Sequence, residues 1–157
     1  MAGAHRYNVT IRWTGNRGTG TSGYREYDRD HVIEAPGKAP IAGSSDPDFR
    51  GDPTRWTPEE LLVASLSACH KLWYLHFCSV SGIRVTGYCD EAEGEMEVDA
   101  DGGGRFTRVT LRPEIEIGPG DDEALATRLH HDAHSKCFIA NSVNFPVRVE
   151  PRFTRAG

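Results

Sequence analysis

The sequence predicts an α+β fold with a long helix between two groups of strands. Near both ends of the chain apolar and polar residues alternate, which is typical of half-buried strands. Between them, Thr57-Pro58-Glu59-Glu60 is a capping box with proline at the first helical position, so a helix begins there and runs to about Ser79. A second helix is indicated where Leu125, Leu129 and Ala133 recur at a spacing of four.

The chain before the long helix is predicted to hold three strands and a loop. The first covers residues 6–14, with one half-buried face that is formed by Tyr7, Val9, Ile11 and Trp13. The second and third cover residues 21–27 and 31–35. Residues 35–56 contain four prolines and three glycines, so they are predicted to form a loop.

The long helix has no wide polar face, so it is expected to be central and buried on several sides. Its apolar residues are Leu61, Leu62, Leu66, Ala68, Leu72, Trp73, Leu75 and Phe77.

The second half of the chain returns to strands. Residues 85–100 form one strand or two, residues 101–104 a hairpin turn, and residues 106–117 a further strand. The second helix follows the acidic stretch at 121–123 and ends near Cys137. A last strand carries Phe145, Val147, Val149 and Phe153, and we expect one domain over residues 1–157, with antiparallel sheets.

Charge and hydropathy exclude several classes of partner. The net charge of −5 over 157 residues argues against nucleic acid or an anionic membrane as the main partner. The first residues contain no apolar segment typical of a secretory signal, so a cytoplasmic protein is predicted. The most apolar stretch, residues 61–78, is interrupted by Ser65, Ser67, His70, Lys71 and His76 and is too polar to span a bilayer.

Four cysteines are sparse for a disulfide framework, so each is interpreted as catalytic, metal-binding or buried. Cys69 lies in the long helix and is either a small core residue or a nucleophile that needs a nearby cation. Cys137 follows the second helix, three residues after His134. His130, His131 and His134 are expected on a solvated helix surface.

A metal-binding module is a second interpretation. Cys69, His70, His134 and Cys137 are soft or borderline ligands, and His131-x-x-His134-x-x-Cys137 has helical ligand spacing. No paired Cys-x-x-Cys motif supports it.

The segment from Thr57 to Cys69, TPEELLVASLSAC, resembles the motif that leads to the reactive cysteine of the OsmC/Ohr family of hydroperoxide reductases. The segment AHSKC, ending at Cys137, resembles the one that carries that family's second cysteine. The similarity covers most of the chain in the same element order. It implies an OsmC-like fold, an intertwined homodimer with sites at the interface, and no cofactor or metal.

The resemblance also implies roles for individual residues. Cys69 corresponds to the peroxidatic cysteine, Cys137 to the resolving cysteine and Glu59 to the active-site glutamate. The activating arginine is expected to be Arg50, with Arg17 as the alternative; Arg55 is also close in sequence. The implied activity is thiol-dependent reduction of organic hydroperoxides, with a dithiol reductant of lipoyl or thioredoxin type.

Three departures from the family pattern are present. Thr57 replaces asparagine, Phe138 replaces a proline that often follows the second cysteine, and residues 70–77 are bulkier and more polar. A non-catalytic relative that binds a small apolar ligand is therefore a further alternative. Cys78 and Cys89 match no family role and are interpreted as structural.

Overall fold

Helix α1 covers Pro58–Ser81 and begins with the predicted capping box in the computed structural model, which describes residues 3–157. The Thr57 N–H donates to Glu60 Oε2 over 3.0 Å, and the Glu60 N–H donates to Thr57 Oγ1 over 3.1 Å. The two hydrogen bonds satisfy N–H groups that the first helical turn leaves without partners. The predicted start and length of the helix are confirmed.

The chain divides into two compact units, Met1–Leu61 and Leu62–Gly157. In the first unit an antiparallel sheet has the order β1-β2-β3, with β1 at Thr10–Trp13, β2 at His31–Glu34 and β3 at Ile41–Gly43. The first and third predicted strands are confirmed, whereas β3 lies inside the predicted loop. The single domain remains a prediction.

The predicted strand over residues 21–27 is wrong, because residues 21–26 form turns and bends and only Tyr27 makes an isolated bridge, to Asn16. The Arg29 guanidinium lies over the Tyr24 and Tyr27 rings, at 4.5 and 3.9 Å from their centroids. It also donates to the carbonyl oxygens of both tyrosines, over 2.8 and 2.6 Å. These carbonyls are therefore used inside the loop and not in a strand ladder.

The predicted half-buried face of β1 is exposed in the single chain: Ile11 is 58% exposed and Trp13 44%. The alternation of polar and apolar residues is present, but residues 3–157 leave the apolar side largely exposed. In the single chain, helix α1 is half-buried on the sides next to its fully buried residues. Its fully buried residues form one stripe at a spacing of four: Leu66, His70, Tyr74 and Cys78.

The second unit contains two three-stranded sheets. One has the order β4-β7-β9 and the other β5-β6-β8; in each the first pair is antiparallel and the second parallel. The strands are β4 at Val85–Asp90, β5 at Glu93–Val98, β6 at Gly104–Leu111, β7 at Pro113–Ile117, β8 at Val147–Val149 and β9 at Arg152–Arg155.

The chain changes sheet at two places where one continuous strand was predicted. The Arg112 N–H leaves the ladder and donates to Asp90 Oδ1 over 2.6 Å, which separates β6 from β7. Residues 150 and 151 separate β8 from β9.

Helix α2 covers Glu123–Lys136 and confirms the second predicted helix. The Asp122 carboxylate caps it by accepting from the Leu125 N–H over 3.1 Å, and Cys137 is the residue at its C-terminal cap. Ala126, Leu129 and Ala133 pack with Tyr74 and Cys78 of α1 in one hydrophobic cluster.

Candidate functional site

The two cysteines singled out from the sequence lie side by side in the second unit. Cys69 is half-buried in α1, and Cys137 is 1% exposed at the C-terminal cap of α2. The Cys69 thiol lies close enough to the Cys137 thiol to raise the pKa of Cys137. Both are free thiols. The fold therefore brings together two residues that are 68 positions apart in the chain.

The surroundings of Cys137 disfavour its thiolate. Its sulfur accepts a hydrogen bond from the Ala140 N–H over 3.4 Å. The pKa of the Cys137 thiol is raised to about 11; burial is the largest cause, the Ala140 N–H opposes it, and the Cys69 thiol adds to the rise. Cys137 is therefore protonated at neutral pH, and its proton has to leave before or while the sulfur reacts.

Two buried histidines form a hydrogen-bonded pair between α1 and α2. His70 of α1 and His130 of α2 are 1% and 3% exposed, and His70 Nε2 lies 2.9 Å from His130 Nδ1. The expectation that His130 is on a solvated surface is wrong; His131 is exposed and His134 is half-buried. His130 lies on the face of α2 that carries Leu129 and Ala133, and this placement was the signal that could have found it.

Both histidines of this pair are neutral near pH 7. Burial lowers the pKa of His70 to about 4, and repulsion from His134 contributes. Burial lowers the pKa of His130 to about 3, and repulsion from His70 contributes. His70 Nδ1, His130 Nε2 and His134 Nδ1 are buried and have no hydrogen-bond partner within residues 3–157.

The candidate arginines differ in what holds them. Arg17 is 3.6 Å from the Asp28 carboxylate and donates to the Arg25 carbonyl oxygen. Arg55 donates to the carbonyl oxygens of Gly43 and His31, both over 3.0 Å. These two guanidinium groups therefore hold loops of the first unit in place.

Arg50 is exposed, and its guanidinium has no ion pair or hydrogen bond within the part of the chain that the structure describes. It follows a short 3-10 helix at Pro47–Phe49 and has a left-handed backbone, with φ 66° and ψ 26°. No other non-glycine residue from 3 to 157 has positive φ. Glu59, in the first turn of α1, likewise has no partner for its carboxylate among the described residues.

An apolar groove of about 340 Å³ lies between α1 and the residue that follows Cys137. It is lined by Leu72, Trp73 and His76 of α1 and by Phe138, which directly follows Cys137. The Trp73 and Phe138 rings meet edge to face, with centroids 5.6 Å apart. The groove offers an aromatic surface to an apolar molecule.

Within residues 3–157, no group of three or more His, Cys, Asp or Glu side chains is placed to hold a metal ion. The metal-binding interpretation thus lacks a formed site. In the same range, no helix has both the length and the apolar character that a bilayer span requires.

The family model for OsmC-like protein matches residues 51–152, about two thirds of the chain, and includes both cysteines. The chain belongs to the OsmC-like family. None of the curated proteins matches it.

Solved structures of the family share the fold. An OsmC-like protein of unknown function from Vibrio cholerae is 29% identical, with a TM-score of 0.84 over 94% of this chain and 99% of that one. An organic hydroperoxide resistance protein from Legionella pneumophila is 19% identical, with a TM-score of 0.67 over 96% and 99%. The organic hydroperoxide resistance protein OhrB of Bacillus subtilis is 22% identical, with a TM-score of 0.63 over 94% and 96%.

The remaining cysteines lie away from this pair. Cys78 is buried in the α1 stripe, and burial raises the pKa of its thiol. Cys89 is exposed on β4. We assign no chemistry to either.

Proposed function

We propose that this protein is a thiol peroxidase that reduces organic hydroperoxides to alcohols. The observation that carries the proposal is the proximity of the Cys69 thiol, midway along α1, to the Cys137 thiol at the C-terminal cap of α2. A half-buried thiol beside a fully buried one matches the needs of a nucleophile and a resolving partner. The apolar groove of Trp73 and Phe138 supports an organic substrate.

The reaction would proceed in two steps. The Cys69 thiolate attacks one peroxide oxygen, the O–O bond breaks, and the departing alkoxide takes up a proton to become the alcohol. Cys69 is then a sulfenic acid. The Cys137 sulfur attacks the Cys69 sulfur, the S–O bond breaks, and hydroxide leaves and is protonated to water. A dithiol of lipoyl or thioredoxin type then reduces the disulfide, which suits a reducing cytoplasm.

Activation of Cys69 is assigned to Arg50 and Glu59. A guanidinium without a partner is available to stabilise a thiolate, and a carboxylate without a partner is available to orient that guanidinium. The left-handed backbone of Arg50 favours Arg50 over Arg17 as the activating residue. This conformation costs a non-glycine residue free energy, and strained residues of this kind are concentrated at functional sites.

These residues would act across a dimer. An α-helix rises about 1.5 Å per residue, so the ten residues from Glu59 to Cys69 span roughly 15 Å, beyond the reach of a carboxylate. The intertwined homodimer implied by the family resemblance would supply Arg50 and Glu59 from the second copy. The exposed apolar face of β1 is consistent with such an assembly.

The test is a count of thiols after one equivalent of cumene hydroperoxide under anaerobic conditions. The wild-type protein should lose two of its four thiols, and Cys137→Ser should lose one and retain a sulfenic acid that dimedone traps. Cys89→Ser is the matched control and should still lose two. If Cys69→Ser loses thiols as fast as the wild type, the proposal is wrong, and the apolar-ligand alternative gains support.

A further inference from the structure

The two cysteines of the proposed disulfide differ in how far a reagent can reach them. Cys69 is half-buried on α1, and the residue before it, Ala68, is exposed and has a small side chain. Cys137 is 1% exposed. A thiolate attacks a disulfide in line with the S–S bond, so the attacked sulfur needs an open side opposite the leaving sulfur. Cys137 offers no such side unless the chain around it moves.

The chain around Cys137 is held by hydrogen bonds on both sides of the residue. Its N–H donates to the Ala133 carbonyl oxygen over 2.9 Å, and its carbonyl oxygen accepts from the Asn141 N–H over 3.0 Å. The short 3-10 helix at Ala140–Ser142 follows directly and contacts α2. To expose the Cys137 sulfur, this turn has to open and several of its hydrogen bonds have to break together.

The same turn offers a hydrogen-bond donor to Cys137 as a departing thiolate. The Ala140 N–H donates to the Cys137 sulfur over 3.4 Å. A donor in this place stabilises the negative charge that develops on the sulfur when an S–S bond breaks. It opposes the effect of burial, which raises the pKa of the Cys137 thiol and so makes its thiolate a poorer leaving group.

Access and leaving ability therefore favour opposite directions of attack, and their sizes can be compared. The pKa of the Cys137 thiol is raised from 9.0 to about 11. At a Brønsted slope of about 0.5 this rise slows the departure of Cys137 roughly tenfold. Loss of the three hydrogen bonds around Cys137 keeps the open turn to about 1 in 100 of the molecules. Access is the larger effect, by about tenfold.

We propose that the dithiol reductant attacks the Cys69 sulfur and that Cys137 is the sulfur that leaves. The first thiolate of the reductant bonds to the Cys69 sulfur, and the S–S bond breaks with its electron pair on Cys137, which takes up a proton. The second thiolate then attacks the reductant's own sulfur in the mixed disulfide, and Cys69 leaves as a thiolate. The dithiol loses two electrons and two protons and the protein gains them, so the step balances.

The inference rests on the proposed function for the Cys69–Cys137 disulfide, and its test makes that disulfide without peroxide. Diamide closes the disulfide by taking two electrons and both thiol protons onto its N=N bond. The starting protein is Cys89→Ser, which lacks the exposed thiol of β4. The monothiol 2-mercaptoethanol is added for short times and the reaction is quenched in acid. Peptide mass spectrometry then locates the adduct on Cys69 or on Cys137.

The adduct on Cys69 should exceed that on Cys137 about 10-fold in the folded protein, after extrapolation to zero time. The same disulfide in denaturing urea is the matched control, because unfolding makes both sulfurs accessible and should bring the ratio to within a few-fold of one. Equal adducts on both cysteines of the folded protein, or a majority on Cys137, overturn the proposal. A preference for Cys69 that persists in urea contradicts burial as its cause.

The size of the attacking thiol gives a second readout. Both adducts come from the same thiol, so its intrinsic reactivity cancels in their ratio. Glutathione is larger than 2-mercaptoethanol and should raise the ratio of Cys69 to Cys137 adducts, because a buried sulfur excludes a larger reagent more strongly. A ratio that falls with glutathione contradicts the proposal.

The two proposals fail in distinguishable ways. If peroxide closes no disulfide but diamide does, and the adduct is on Cys69, the peroxidase is wrong and the direction of attack stands. If peroxide closes the disulfide and the adduct is on Cys137, the reverse holds. A protein in which neither oxidant closes the disulfide contradicts both.

Discussion

The Tyr74 hydroxyl on α1 donates a hydrogen bond to the Ala126 carbonyl oxygen on α2, over 3.0 Å in the fully buried core. The His70–His130 bond and the Cys69–Cys137 pair follow toward the start of α1 and the end of α2. Two antiparallel helices are thus aligned by polar contacts, which have a definite register, whereas apolar packing tolerates small slips. The alignment is what brings the two thiols together.

The Tyr74 hydrogen bond should therefore contribute measurably to the free energy of unfolding. Tyr74→Phe removes the donor and leaves the buried Ala126 carbonyl oxygen without it, at a cost of about 1–2 kcal/mol. Tyr88→Phe is a matched control, because the Tyr88 hydroxyl is buried and has no hydrogen-bond partner among the described residues, so its removal should be neutral or stabilising. Urea unfolding of both variants checks this, and equal destabilisation by the two substitutions would contradict it.

The histidine pair should make the protein sensitive to acid. Each histidine has a pKa near 6.5 when unfolded, whereas in the folded protein the values are about 4 for His70 and about 3 for His130. Below pH 6.5 the unfolded chain binds protons that the folded chain does not, so stability is full above pH 6.5 and is lost as the pH falls toward 4. At pH 5 one such histidine lowers the free energy of unfolding by about 2 kcal/mol relative to pH 7.5.

The control for acid sensitivity is the double variant His70→Gln/His130→Asn. It keeps amides that can hydrogen-bond in place of the rings but removes both titrating groups. Urea unfolding at pH 5 and at pH 7.5 should differ less in this variant than in the wild type. The same difference in both proteins would assign the acid sensitivity to carboxylates or to the other histidines.

The sequence predicted the features of the fold that depend on local interactions. The Thr57–Glu60 capping box and the start of α2 join residues three positions apart, so their residue types alone indicate them. The switches of the chain between sheets at Arg112 and after Val149 depend on long-range pairing, and the alternation of side chains continues through both. For this reason continuous strands were predicted there.

The candidate site, like the fold, could be predicted only in part from the sequence. Cys69 and Cys137 could be singled out because their motifs resemble those of a known family, although only the packing of α1 on α2 shows that they lie side by side. His70 and His130 could not be paired in advance, because a histidine is equally compatible with a solvated helix face and a buried one. Their partnership exists only through the register that α1 and α2 adopt.

Replacing Arg50 should separate activity from stability. The left-handed backbone of a non-glycine residue destabilises the folded state by about 1 kcal/mol, and glycine removes this strain. Glycine also makes the unfolded chain more flexible, which lowers the free energy of unfolding by a similar amount. Arg50→Gly should thus change the free energy of unfolding by less than about 1 kcal/mol, yet slow sulfenic acid formation on the order of 100-fold. Stopped-flow oxidation and urea unfolding measure the two effects.

Arg17→Ala is the comparison for Arg50. Arg17 is already engaged by Asp28 and the Arg25 carbonyl, so its removal should affect the loop and leave the oxidation rate within a few-fold of the wild type. If Arg17→Ala oxidises slowly and Arg50→Gly oxidises at the wild-type rate, the activating role belongs to Arg17.

The groove beside the thiols should decide between organic hydroperoxides and hydrogen peroxide. Phe138 is 68% exposed and meets Trp73 edge to face, so an aryl group can lie against both rings. Phe138→Ala should lower kcat/KM for cumene hydroperoxide about 10-fold through KM, because burying a phenyl ring against an aromatic side chain contributes roughly 1.5 kcal/mol. For hydrogen peroxide, which has no apolar part to bury, kcat/KM should stay constant.

Val80 is an equally exposed apolar residue near the end of α1, so Val80→Ala is the control and should change kcat/KM for neither peroxide. A parallel loss for both peroxides in Phe138→Ala would mean that Phe138 supports the Cys137 loop and does not contact the substrate.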